Sequence, residues 1–262
     1  MPIHSIDSFA DPRVAPYRNL KDRDLAREGD RFIAESEFVV RRLIDSDFPI
    51  ESVLLEDRRV EEIALIVPPH VPIYVAPKSL MTQIIGYKFH SGIIACGRRK
   101  PPATLEQIAA PPDATIVVCP DLNNAENLGS IIRIAAGFGA SGIVLGPYSV
   151  DPFWRLSIRV SMGTVFKMPI VRSTDLVADL KRLHNEFAVE TMATVLDETA
   201  TALEQVPRPP KMALVFGAEA PGLSRDIIEA CTRRITIPMK LGTDSLNVSV
   251  AAGIFLYHFT RR

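Results

Sequence analysis

Five short, largely apolar runs recur at helix-length intervals through the last 150 or so residues, and this rhythm limits the possible folds more than any other feature. They are Thr115–Cys119, Gly142–Leu145, Ala188–Thr194, Met212–Phe216 and Arg234–Ile237. Helical patterns lie between them at Leu128–Phe138, Asp175–Asn185 and Arg225–Ala230, and a last one closes the chain at Leu246–Phe259. A strand with one face in water alternates apolar and polar residues; these runs are continuous, so both faces must be covered. The pattern predicts an α/β domain over residues 114–262 with a parallel sheet between helical layers. Ligands of such sheets bind beyond the carboxyl ends of the strands.

The first hundred residues follow a different rhythm. Asp22–Ile44 has helix-like spacing, and short apolar runs follow at Ile50–Leu55, Ala64–Val67, Val71–Val75 and Gly92–Ala95. This predicts a small α/β sandwich over residues 1–100. Proline pairs at Pro101-Pro102 and Pro111-Pro112 bracket residues 101–113, which read as a linker with room for one or two helical turns.

Composition narrows the partners. The 30 Lys+Arg balance 31 Asp+Glu, so a nucleic-acid partner must be held by local patches rather than bulk charge. Two clusters qualify: Arg98-Arg99-Lys100, and Arg13, Arg18, Lys21 and Arg23. Cys96, Cys119 and Cys231 are far apart and odd in number, which predicts buried thiols in a reducing cytoplasm rather than disulfides or metal ligands. His4, His70, His90, His184 and His258 are scattered, and no metal site is expected. The apolar stretch Val248–Phe259 is too short to span a bilayer, and the N-terminus lacks the apolar core of a secretion signal.

Gly137-Phe-Gly139-Ala-Ser-Gly142 matches G-x-G-x-x-G. A dinucleotide site needs a strand before these glycines and a helix after them. Here the helix comes first, so they read as a helix end leading into a strand.

Three loops concentrate polar residues where a parallel sheet would bind a ligand. After Thr115–Cys119 comes Asn127-x-Gly129-x3-Arg133, with Asn127 expected as helix cap and Arg133 sharing a helix face with bare Gly129. After Met212–Phe216 comes Gly217-Ala-Glu219-Ala-Pro-Gly222-Leu-Ser224, a tight turn with exposed backbone and Ser224 as the next cap. After Arg234–Ile237, the residues Asp244, Ser245, Asn247 and Ser249 crowd one helix start, although a single cap needs only one of them. The surplus suggests ligand contacts.

Together, Asn127-x-Gly129-x3-Arg133, Gly217-x-Glu219-x2-Gly222-x-Ser224 and Ser245-Leu-Asn247-Val-Ser249 resemble the three signature motifs of the SpoU, or TrmH, family of RNA ribose methyltransferases. Phe32-Ile-Ala-Glu35 and Phe89-His-Ser-Gly92 resemble, more weakly, the ribosomal-protein-like RNA-binding domain of many members. The resemblance implies a trefoil-knotted SPOUT domain that uses S-adenosylmethionine to methylate a ribose 2′-hydroxyl, in rRNA rather than tRNA, and works as a homodimer. It implies that Gly217, Ile237, Met239 and Leu246 hold the cofactor, and that Asn127, Arg133, Glu219, Ser245 and Asn247 form the catalytic shell. The competing readings are a non-catalytic RNA-binding protein on the same fold and a base methyltransferase on a related one.

Overall fold

The computed structural model describes residues 2–20, 29–218, 222–240 and 245–260. Two compact units result: Met1–Lys100 with Asp151–Phe166, and Pro101–Val150 with Lys167–Arg262.

The first unit holds β1 (Ile3–Ser5), β2 (Arg31–Glu35), α1 (Glu37–Ile44), β3 (Ile50–Glu56), α2 (Val60–Ala64), β4 (Ile73–Ala76), α3 (Lys78–Ile85) and β5 (Ile93–Arg98). The strands form a mixed sheet in the order β1-β4-β3-β5-β2, with β2 antiparallel to β5. Two expectations need correction. The helix expected over Asp22–Ile44 is β2 followed by α1, with residues 21–28 outside those described. Phe32, Ile33 and Ala34 satisfy either period over so short a run, and pairing with β5 decides in favour of strand. Ala64–Val67, expected as a strand, is the end of α2 and a turn running into Pro68-Pro69.

Residues 101–113 are not a bare linker. They contain α4 (Leu105–Ala109), which buries Leu105, Ile108 and Ala109 in the second unit's core. Thr104 and Gln107 cap it reciprocally, which lets a five-residue helix persist between proline pairs. There follow β6 (Thr115–Cys119), α5 (Ala125–Gly137) and β7 (Gly142–Leu145). Residues 151–166, with α6 (Arg155–Val160), then belong to the first unit rather than to the second as expected. Phe153 and Phe166 pack on Phe32 at ring-centroid distances of 5.4 and 5.2 Å, and Arg155 donates to Glu35 at 2.8 Å. A buried aromatic cluster closed by an ion pair explains the attachment.

The second unit continues through β8 (Ile170–Arg172), α7 (Leu176–Phe187), β9 (Glu190–Thr194), β10 (Thr201–Ala202), β11 (Met212–Val215), α8 (Arg225–Ala230), β12 (Arg233–Thr236) and α9 (Val248–Thr260). The sheet order is β10-β12-β9-β11-β6-β7-β8, and every pairing is parallel. Every residue of β6, β7 and β11 is buried, as their unbroken apolar composition requires. α5 ends at Gly137, Gly139 takes a left-handed φ of +70°, and β7 begins at Gly142, so the glycine triplet is a helix exit. Among the described residues no helix is long and apolar enough to cross a membrane.

Candidate functional site

Because the sheet is parallel, the loops after β6, β9, β11 and β12 leave from one edge, and these strands are adjacent in it. There the loops after β9, β11 and β12 line a cavity of about 540 Å3, a size suited to a small organic ligand. Its apolar wall includes Phe216 and Phe255, packed edge to face at 5.8 Å, with Leu223, Ile228 and Val248. Gly217, Ala218, Ile237, Met239, Ser245 and Leu246 complete the rim. All four residues expected to hold a cofactor, Gly217, Ile237, Met239 and Leu246, line this one space, and so does Ser245.

Gly217 is required by close approach rather than by φ. A Cβ placed on it would lie 2.6 Å from the carbonyl carbon of Gly222 and 2.6 Å from the nitrogen of Leu223. The loop returns on itself at the cavity wall, and only hydrogen fits between the two passes.

Asn127 is not the helix cap. Asn124 is, its side chain accepting from the amides of Glu126 at 2.8 Å and Asn127 at 3.2 Å, so α5 begins three residues earlier than expected. Both asparagines suit a cap, but the first of them ends the extended segment after β6. Asn127 is thereby placed in the first helical turn with its side chain buried, where its Oδ1 accepts from Nδ2 of Asn247 at 3.0 Å. This bond ties the first motif to the third across 120 residues. Asn247 also caps α9: its Oδ1 accepts from the Ser249 amide at 2.9 Å and the Ser249 hydroxyl at 2.6 Å. Asn247→Ala should therefore destabilise the second unit by about 1–2 kcal/mol in urea denaturation. Asn247→Asp, which keeps the accepting oxygen at a helix N-terminus, should recover part of that loss. Equal losses would contradict the capping role.

Of the residues expected in the catalytic shell, Asn127, Arg133 and Asn247 do not line the cavity. Arg133 is exposed on α5, does not line the cavity, and has no hydrogen-bond or ion-pair partner among the described residues. Glu219 lies outside the described residues, as do Asp244, Lys21 and Arg23. The sequence reading also missed a wall. Thr194, Val195, Leu196 and Asp197, the exit of β9, line the cavity with Arg234 of β12. The strand was recognised, and the rule that ligands sit beyond carboxyl ends pointed to its exit.

Four members of the basic clusters considered for RNA are ion-paired within the chain. Arg98 pairs with Glu51, Arg99 with Asp151 at 2.7 Å, Lys100 with Asp47 at 3.4 Å, and Arg13 with Asp11. Cys96 and Cys119 are buried and Cys231 is half-buried; burial pushes all three thiols up to about 12, which leaves them protonated at neutral pH. Among the described residues, no three His, Cys, Asp or Glu side chains converge as a metal site would need.

Comparison with known proteins identifies the family. The profile of the SpoU rRNA Methylase family matches residues 114–257. An uncharacterized tRNA/rRNA methyltransferase of Mycobacterium bovis is 35% identical, covering 96% of this chain and 89% of its own. A 23S rRNA (guanosine-2′-O-)-methyltransferase, RlmB, of Acinetobacter baylyi is 28% identical over 79% of this chain and 86% of its own. The crystal structure of an AdoMet-bound rRNA methyltransferase from Sinorhizobium meliloti superposes with a TM-score of 0.84 and 26% identity, covering 99% of this chain and 98% of that one. Fold and cavity thus define an RNA methyltransferase whose cofactor is S-adenosylmethionine. The chain belongs to the SpoU rRNA methylase family.

The residues at the cavity suit such a cofactor. An apolar slot with an aromatic wall accepts a flat base, and the close return of the loop that Gly217 permits sets backbone of Gly217 and Gly222 at the cavity's edge.

Proposed function

We propose that the protein transfers a methyl group from S-adenosylmethionine to a ribose 2′-hydroxyl of rRNA. The carrying observation is the convergence of Gly217, Ile237, Met239, Ser245 and Leu246 on one cavity, with Asn127 and Asn247 bonded to each other on the motifs beside it. The similarity to a 23S rRNA guanosine-2′-O-methyltransferase favours ribose over base and rRNA over tRNA.

When bound, the cofactor supplies an electrophilic methyl group. The chain's residues then have three tasks. Gly217, Ile237, Met239 and Leu246 hold the donor in the cavity. Asn127, Ser245 and Asn247, with Glu219, orient the ribose at its mouth. Arg133 grips a phosphate beside the target or stabilises the oxygen as it loses its proton. A guanidinium keeps its own proton at ordinary pH, so it serves as a planar cation rather than a base.

We place a second copy of the chain against α9. Val250, Ile254 and Tyr257, spaced for one helix face, are 51%, 39% and 55% exposed, an apolar stripe on a helix that also packs on α5, where Tyr257 meets Phe138 edge to face at 6.3 Å. In this pairing Arg133, which does not line the cavity of its own chain, is proposed to serve the cavity of the other copy. The C-terminal segment is proposed to be threaded as a trefoil knot, consistent with α9 returning to α5 from β12, three strands away from β6 in the sheet. The first unit is proposed to bind the RNA.

The test is nucleoside analysis of rRNA incubated with the protein and methyl-labelled S-adenosylmethionine. The label should appear in a 2′-O-methylnucleoside. Label in a base would overturn the ribose assignment, and a chain that binds the donor yet labels no RNA would favour the non-catalytic reading.

A further inference from the structure

Among the described residues, the cavity's lining is apolar or uncharged apart from one charged pair, Asp197 and Arg234. Neither belongs to the three motifs. Asp197 lies three residues beyond β9, and Arg234 is in the neighbouring strand β12.

The carboxylate is held from several sides. Val195 donates its amide to the Ile235 carbonyl at 2.9 Å, which carries the β9–β12 pairing past the strand end. The Thr199 hydroxyl donates to Asp197 Oδ1 at 2.7 Å and the Thr199 amide at 2.8 Å. Arg234 Nη1 donates to Oδ2 at 2.8 Å. The Thr199 hydroxyl and amide, with the charge of Arg234, hold the carboxyl below its usual range, so it is ionised at neutral pH.

Counting acceptor sites shows what remains. Each carboxylate oxygen accepts about two hydrogen bonds. Oδ1 receives both of its bonds from Thr199, whereas Oδ2 receives one from Arg234 and has one left. The charge is already balanced by Arg234, so this free acceptor suits a neutral hydroxyl donor better than an ammonium, which would need an unpaired negative charge. Acidic side chains meet ribose hydroxyls in this way in dinucleotide sites at the same edge of parallel sheets.

We infer that Asp197, fixed by Thr199 and Arg234, accepts a hydrogen bond from a ribose hydroxyl of the methyl donor's adenosyl group. This makes Asp197 a donor-binding residue. The inference rests on the reading that this cavity holds the donor.

Calorimetry on the full chain tests it with S-adenosylhomocysteine and with methylthioadenosine, which keeps the ribose but lacks the amino-acid part. Asp197→Ala should weaken both by about tenfold or more. Loss confined to S-adenosylhomocysteine would assign Asp197 to the amino-acid end and overturn the inference; so would no loss. The 2′-deoxy and 3′-deoxy forms of methylthioadenosine provide a check that needs no variant. At least one should bind the unaltered chain about tenfold more weakly, and that penalty should vanish in Asp197→Ala. Equal binding of all three by the unaltered chain overturns the inference even if the variant does not fold. Failure of the unaltered chain to bind any adenosyl ligand would defeat the assignment of the cavity itself.

Discussion

Arg133→Ala is expected to lower methyl transfer by about a hundredfold to a thousandfold while leaving the affinity for S-adenosylmethionine within about twofold. The separation follows from where the side chain sits. Arg133 is exposed on α5, does not line the cavity and has no hydrogen-bond or ion-pair partner among the described residues, so its removal strands no buried charge. A cation so placed can act only on what arrives from outside, an RNA phosphate or an oxygen becoming negative. Arg133→Lys should recover little, because an ammonium lacks the planar pair of donors that suits both targets. Single-turnover rates and calorimetric affinities check the two halves independently. Loss of donor binding in a folded Arg133→Ala protein would contradict the assigned role.

Gly217→Ala is expected to do the reverse. Its new methyl group would lie 2.6 Å from the Gly222 and Leu223 backbone, so the loop must open or the residue must shift. Overpacking of this kind costs about 1–3 kcal/mol, and here the deformation falls on the cavity wall. The affinity for S-adenosylmethionine should fall by roughly tenfold to a hundredfold, the equivalent of that strain. Unchanged affinity would mean that the wall is soft and that Gly217 does not shape the site. The two variants also test the pairing of copies. One fails at the exposed arginine and the other at the cavity, so at a donor concentration too low to load the Gly217→Ala cavity, the two mixed and refolded together should regain activity that neither has alone. No recovery would argue that each chain uses its own Arg133.

The α/β core was legible because burial on both faces leaves an unmistakable composition. Thr115–Cys119 and Met212–Val215 are recognised as central strands from their lack of polar alternation, and they lie side by side in the sheet. The three loops were legible because they carry more polar residues than caps require. What escaped has physical reasons. Phe32 and Phe153 meet across 121 positions, and no local pattern shows that residues 151–166 pack with the first unit. Asn124 and Asn127 are equivalent as caps by type; the bond from Asn247, known only once α9 is placed, distinguishes them. The Thr194–Asp197 wall escaped because Asp197-Glu198-Thr199 reads as an ordinary polar turn. Its role emerges only with Arg234 alongside.

The central claim is that one edge of the parallel sheet gathers separate loops around the methyl donor. Amide hydrogen exchange with and without saturating S-adenosylmethionine tests it in one measurement. Slowed exchange should appear together in residues 194–197, 216–223 and 237–248, with little change in residues 31–100. Protection confined to the first unit, or to only one of the three stretches, would contradict the claim.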